Sequence, residues 1–156
     1  MVLPGKGYGG YVHLKELVEQ KTVAVKGELY VLQDKQIYFA GKQLQGISIV
    51  EDYAQIKGVH YTSWEQATQI RSAHRMEPAL DDPFVYLSEP GKMAGWTEEL
   101  IRKELGALSA NTEVRIAVVV PIDRVWIKAS RAVAHYAIAG ILSHEIVKLE
   151  IQRRRA

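Results

Sequence analysis

The sequence has no cysteine among its 156 residues, so disulfide bonds, thiol nucleophiles and metal sites built on cysteine are excluded. It has no apolar run close to the ~20 residues of a membrane-spanning helix, and its first residues lack the charged-then-apolar order of a secretion signal. We therefore expect no membrane partner. Charge of one sign is not in excess either, since a net charge of +2 is too small to indicate a nucleic-acid partner by itself.

The residues that are present have the proportions of an ordinary globular protein, with 47% hydrophobic and 24% charged side chains. The length fits a single domain with a sizeable core. The one concentrated positive run, Arg153–Arg155, is typical of a solubilising tail. Many short strand patterns alternate with few helix patterns, which favours a mixed α+β fold.

The N-terminal third shows patterns of secondary structure and no motif that indicates a catalytic or binding site. Four glycines and a proline between Pro4 and Gly10 predict a flexible linker. The spacing of apolar residues predicts a short helix between Val12 and Glu19. Turn signals then bound three strand patterns, which predicts a small antiparallel meander over residues 22–25, 28–32 and 36–39.

The most informative stretch is Gly58–Ser63, where apolar and polar residues alternate as in a half-buried strand. Ser63 is followed three residues later by Gln66, which is the spacing of a helix capping box. A strand would thus end in polar side chains beside a helix N-terminus, a place that suits an anionic or hydroxyl-rich ligand. An ordinary strand histidine at His60 is the alternative interpretation.

The second half continues the same mixed pattern. Phe84–Leu87 reads as a short strand, and Thr97 and Gly106 are placed to cap the two ends of a helix with Leu100, Ile101 and Leu105 inward. The apolar run Val114–Val120 is typical of a central strand covered on both faces. Further strand patterns follow at residues 125–127, 133–138 and 146–151.

Three of these segments together resemble the ADP-ribosyltransferases. They are His60-Tyr61-Thr62 before the capped helix, the strand Phe84–Ser88, and the late segment Tyr136–Ile141 before Ile146. The first motif is most similar to the toxin branch that reads His-Tyr-Thr, whose domains often form the C-termini of Rhs-type bacterial polymorphic toxins. The resemblance covers roughly residues 57–151 and implies a split β-sheet that clasps NAD⁺. It makes residues 51–156 the catalytic core and residues 1–50 an N-terminal extension.

The resemblance also implies roles for individual residues. His60 would bind a ribose hydroxyl, and backbone groups beside it, at Tyr61, would hold the nicotinamide amide. Thr62 would belong to the same cofactor-binding segment. The ring of Tyr86 would stack on the nicotinamide, because an aromatic face suits a flat cationic ring. Arg71, with Arg75 after it, would pair with the pyrophosphate.

The third catalytic position departs from the family pattern. Many relatives carry a glutamate on the late strand, but the alignment of Tyr136 with that strand places His135 there. Glu145 in the following turn is the second candidate, and Glu150 is the third. A histidine in place of the glutamate leaves the acceptor open, since that glutamate commonly activates a protein acceptor.

The expected activity is that of an NAD-dependent mono-ADP-ribosyltransferase toxin. It would act on a protein or RNA in the cytoplasm of a target cell, and a cognate immunity protein would accompany it. An NAD glycohydrolase, a metal-independent ribonuclease using His60 and His135, and a non-catalytic binding module are the alternatives. No metal is expected, because the histidines lack the i, i+4 spacing of ligands on one helix.

Overall fold

The computed structural model describes residues 10–154, so the linker predicted from Pro4 lies outside the described residues except for Gly10. Three α-helices and twelve strands make up this part of the chain. In chain order they are β1 (Val12–His13), α1 (Leu14–Gln20), β2 (Thr22–Val25), β3 (Glu28–Gln33), β4 (Gln36–Phe39), β5 (Lys42–Gln43), β6 (Ile47–Val50), β7 (Tyr53–Thr62), α2 (Trp64–Ala73), β8 (Phe84–Ser88), α3 (Glu98–Leu105), β9 (Thr112–Pro121), β10 (Val125–Ala129), β11 (Ala134–Ala139) and β12 (Ile146–Arg153).

The strands form two antiparallel sheets, which confirms the predicted mixed α+β class. The large sheet has the order β1-β10-β11-β8-β7-β9-β12, and the small one has the order β2-β3-β4-β5. Strand β6 pairs with the first half of β7 from Ile47 opposite Ile56 to Val50 opposite Tyr53. Strand β7 is therefore the centre of the large sheet, and it pairs with β9 along its whole length.

One apolar core joins the small sheet to the large one. Leu17 of α1 and Tyr30 of β3 pack in the same buried cluster as Ile56, Leu87 and Tyr136 of the large sheet. Burial of each such side chain contributes about 1.5–3 kcal/mol. Because β1 and β6 also belong to the large sheet, the segment before residue 51 shares this core with the segment after it.

Local signals in the sequence predicted most of these elements. The meander strands are confirmed, and so are the two helix caps, because Ser63 Oγ accepts from the Gln66 amide and Thr97 Oγ1 from the Leu100 amide. Leu100 itself was wrongly predicted to face inward, since it is 52% exposed. The N-terminal helix begins two residues later than predicted, because β1 precedes it.

Two further sequence interpretations were wrong. The outer face of the apolar strand β9 is only partly covered, since Glu113 is buried there while Arg115 is exposed. The first two residues of the basic run contact the rest of the fold and do not form a detached tail, although Arg153 at the end of β12 is exposed. Arg153 lies 4.9 Å from the centre of the Trp64 ring, and Arg154 donates to the Trp96 carbonyl at 2.6 Å.

Candidate functional site

The large sheet splits between its strands β7 and β8. Within the described chain, these two strands share a single ladder pair, Val59 opposite Ser88. Gly58 permits the close approach there, because a Cβ at this position would lie 2.8 Å from Leu87 Cβ and 3.2 Å from the Ser88 carbonyl oxygen. Beyond Val59, the edge of β7 that runs through His60 is no longer paired to β8 by main-chain bonds.

The imidazole of His60 takes the place of the missing ladder bond. Its Nδ1 lies 2.9 Å from the main-chain oxygen of Tyr86, and since a carbonyl only accepts, Nδ1 carries the proton and donates. Burial lowers the pKa of His60, and the bond to the Tyr86 carbonyl opposes this more weakly. The ring is therefore neutral near pH 7, with its lone pair on Nε2.

The second nitrogen of His60 is open. Among residues 10–154, no hydrogen bond or ion pair joins His60 Nε2, and no buried side-chain nitrogen or oxygen lacks a partner. Nε2 therefore keeps some contact with solvent, although burial dominates the surroundings of the ring. A neutral imidazole held at Nδ1 presents a hydrogen-bond acceptor of fixed direction at Nε2. This arrangement suits a ligand hydroxyl.

Tyr86 lies on the neighbouring strand, as the resemblance implied, but it meets His60 through its carbonyl and not through its ring. Its hydroxyl donates to Asp82 Oδ1 at 3.1 Å, and the Phe84 amide donates to the same oxygen at 2.9 Å. Asp82 thus closes a turn and orients the phenol. Tyr86 is partly buried.

The pleat places the predicted residues on two faces of the sheet. Ser88 pairs with Val59 on one side and with His135 on the other, so these three side chains share a face. Tyr86 lies two residues from Ser88 and points the same way. His60 lies one residue from Val59 and emerges on the opposite face, across from Val114. The structure thus brings Tyr86 and His135 to one face and His60 into the split beside them.

His135 is engaged at both ring nitrogens. Nε2 donates to Glu104 Oε2 of α3 at 2.9 Å, and Nδ1 lies 3.0 Å from Ser88 Oγ. When Nε2 carries the only ring proton, Nδ1 accepts from the serine hydroxyl. The bond from His135 lowers the pKa of Glu104. This chain of three side chains fastens α3 to the sheet, and strand β8 separates it from His60.

Glu145 lies in a closed ion pair away from the split. Its carboxylate accepts from the Ser143 amide at 2.9 Å and from Arg124 Nη1 at 2.5 Å. The Ser143 amide and then the Arg124 guanidinium lower the pKa of Glu145 to about 2. Arg124 also donates to the carbonyls of Ala139 and Ile141, so the group fixes the loop before β12. Glu150 is exposed on β12.

Of the residues expected near the pyrophosphate and the nicotinamide, Tyr61 and Thr62 precede the start of α2, whereas Arg71 and Arg75 lie at or beyond its C-terminal end. Arg71 is exposed on that helix, and Arg75, beyond its C-terminus, pairs with Glu77 at 2.7 Å. Tyr61 is buried, which with the nearby Glu113 raises its pKa to about 12. Thr62 ends β7 directly before the capped helix. None of these residues contacts His60 through a hydrogen bond within the described chain.

A cleft of about 430 Å³ lies on the other face of β7, with β9 and β12 as the rest of its floor. Its charged lining residues are Lys57, Glu113, Arg115, Lys148 and Glu150. Apart from Glu150, this set was missed by the sequence reasoning, which also missed Ser88 and Glu104. The alternating polar residues of β12 were a usable signal for Lys148, whereas nothing local points to Glu104.

Among residues 10–154, no group of three or more histidines, aspartates or glutamates is placed to hold a metal ion. No helix in this part of the chain has the length and apolar character needed to cross a membrane. Comparisons with family models, with curated proteins and with solved structures give no significant match to this chain.

Proposed function

We propose that this protein is an NAD⁺-dependent mono-ADP-ribosyltransferase with an ADP-ribosyltransferase-like split sheet. The observation that carries the proposal is the neutral His60 imidazole in the split, with Nδ1 bonded to the Tyr86 carbonyl and Nε2 open. The resemblance of the His60-Tyr61-Thr62 motif and of the Tyr86 strand to this family supports it independently.

The residues at the split suit the chemistry of NAD⁺. Cleavage of its nicotinamide–ribose bond releases neutral nicotinamide and develops positive charge on the ribose, so positioning contributes more than a strong nucleophile. His60 Nε2 accepts a hydrogen bond from a ribose hydroxyl. The resemblance assigns the Tyr86 ring to the nicotinamide. Because this ring and His60 leave the sheet on opposite faces, the proposal requires NAD⁺ to contact both faces at the end of the split. His135 acts through position, because Ser88 and Glu104 occupy its nitrogens.

The acceptor is a protein or an RNA of a target bacterium, and the protein acts as a delivered toxin in that cell's cytoplasm with a cognate immunity protein. An NAD glycohydrolase uses the same site with water as the acceptor. The ribonuclease alternative has less support, since β8 lies between His60 and His135 and their side chains leave opposite faces of the sheet.

The experiment is incubation of the purified protein with NAD⁺ labelled in the adenylate part, with and without bacterial lysate. We expect release of nicotinamide and transfer of label to a macromolecule. The variant His60→Asn keeps an amide nitrogen close to the position of Nδ1 and removes Nε2, so it should fold and lose activity. The matched control is His144→Asn, an exposed loop histidine.

The products separate the possible outcomes. Label on a macromolecule supports the transferase, and free ADP-ribose alone indicates the glycohydrolase. RNA cleavage without NAD⁺ would replace the proposal with the ribonuclease. Full activity of a folded His60→Asn variant would remove His60 from the site.

A further inference from the structure

A second site lies on the outer face of the large sheet, opposite to the face on which His60 emerges. The cleft described above has the outer faces of β7, β9 and β12 as its floor, and the loop after β8, with Pro90, Gly91 and Ala94, lines it as well. Its volume of about 430 Å³ accommodates a small ligand.

Two lysines face each other across this floor. Lys57 on β7 and Lys148 on β12 both pair with Ala117 of β9, so the three residues form one row across the sheet on a single face. The two lysine Cα atoms are about 10 Å apart, twice the spacing of neighbouring strands. Because the middle residue is an alanine, both ammonium groups can converge on a group seated above it.

A register shift in β12 determines which face of the sheet Lys148 occupies. Ile146 pairs with Val118 and Lys148 pairs with Ala117, so the register shifts by one residue between them. In an unbroken ladder Lys148 would face Ile116, on the buried side of the sheet. The shift leaves Val147 68% exposed, keeps Ile146 on the core and turns Lys148 into the cleft.

Some charged side chains of the cleft form salt bridges and others do not. Within the described residues, neither Lys57 nor Lys148 forms a salt bridge, whereas Glu113 is paired with Arg115 at 3.0 Å and with Arg154 at 3.5 Å. Glu150 is the remaining carboxylate in the lining. Lysine, arginine and carboxylate side chains together leave an excess of positive charge. Like charges across a sheet lower stability, and a bound anion between the lysines would reverse that effect.

We propose that this cleft binds the phosphate groups of a small phosphate-bearing ligand. Lys57 and Lys148 serve as two point charges on either side of Ala117, which is the way lysine binds phosphate. Arg115, in the next row, adds a guanidinium to the same floor. The site goes beyond the proposed function, because it does not require that the protein turns over NAD⁺.

The test is calorimetric titration of inorganic pyrophosphate into the wild-type protein, Lys57→Gln, Lys148→Gln and the control Lys15→Gln, which alters an exposed lysine of α1. We expect saturable binding that weakens at least tenfold in each cleft variant, remains in the control and decreases with added salt. Absence of saturable binding in the millimolar range, or equal affinity in all four proteins, would overturn the proposal.

A parallel titration with NAD⁺ identifies the source of the phosphate. Affinity for NAD⁺ that decreases together with affinity for pyrophosphate assigns the cleft to the dinucleotide, and a decrease for pyrophosphate alone assigns it to another phosphate compound. Both results support the site. The variant His60→Asn should bind pyrophosphate as the wild type does, so the failure of the proposed activity would not be mistaken for the failure of this site.

Discussion

His60 and His135 lie on strands separated only by β8, yet their environments differ in one respect that bears on function. His60 bonds to the Tyr86 carbonyl at Nδ1 and keeps Nε2 open, whereas His135 is bonded at both nitrogens to Ser88 and Glu104. A ring with one unused acceptor can bind a ligand, and a ring with none holds the structure together. In the proposed function, the difference therefore gives His60 the contact with the substrate and His135 a positioning role.

The architecture of the sheet creates this difference. Strand β11, which carries His135, pairs with β8 on one side and with β10 on the other, and Glu104 of α3 forms a hydrogen bond with the ring. At His60, the ladder to β8 has ended at Val59, so the imidazole fills a gap between two strands. The end of the ladder thus accounts for the bond that orients His60, because the ring reaches the Tyr86 carbonyl where no main-chain pair is formed.

The largest effect should come from exchanging the two histidines for asparagine one at a time. We expect His60→Asn to lower NAD⁺ turnover by about 100-fold or more, and His135→Asn to retain more than about a tenth of it. Initial rates of nicotinamide release measure both. Equal losses of NAD⁺ turnover in two folded variants would contradict the distinction between His60, with one bonded ring nitrogen, and His135, with two.

The ion pair between Glu145 and Arg124 is a second place where the side chains already have partners. Its removal should lower the stability of the protein and leave its activity unchanged. The pKa of Glu145 is lowered to about 2 in the folded chain, so its contribution is present above the ordinary value of 4.5 and is lost as the pH falls toward 2. We expect Glu145→Gln to lower the free energy of unfolding by about 1–2 kcal/mol at pH 7 and by almost nothing near pH 2. Urea unfolding at several pH values measures this, and a constant difference would contradict it.

Tyr86→Phe sharpens the comparison, because it removes a hydroxyl and keeps the ring. Loss of the bond to Asp82 should lower the stability of the protein by about 1 kcal/mol, with NAD⁺ turnover changed by no more than a few-fold. Tyr86→Leu is the matched change that removes the aromatic face, and it should lower turnover much more. If the phenylalanine variant were as inactive as the leucine variant, the hydroxyl and not the ring would be the functional group.

The smallest effect is expected from Glu104→Gln. The amide can still accept from His135, so only the charge of a partly exposed pair is lost, which is worth about 0.2–1 kcal/mol. Since the pKa of Glu104 is lowered by His135, the effect should be present near neutral pH and vanish as acid protonates the carboxylate. Thermal unfolding at pH 7 and in acid measures it. A large loss of turnover would give Glu104 a role in the reaction instead.

Local signals predicted the elements, and long-range contacts decided the site. The Ser63 cap and the strands of the meander are determined by residues within a few positions of one another. The partner of His60 lies 26 residues away, those of His135 lie 31 and 47 residues away, and no periodicity identifies them. The alternation in β12 places Lys148 on the same face as Glu150, but the register shift that turns this face to the cleft depends on the pairing with β9, which the sequence does not show.

The most direct test of the central claim is a nitrogen NMR spectrum of ¹⁵N-histidine-labelled protein at pH 7, recorded with and without NAD⁺. The account predicts that His60 is neutral with its proton on Nδ1, and that NAD⁺ shifts the Nε2 signal of His60 while the signals of His135 move little. A charged His60, or an Nε2 signal that saturating NAD⁺ leaves in place, would contradict it.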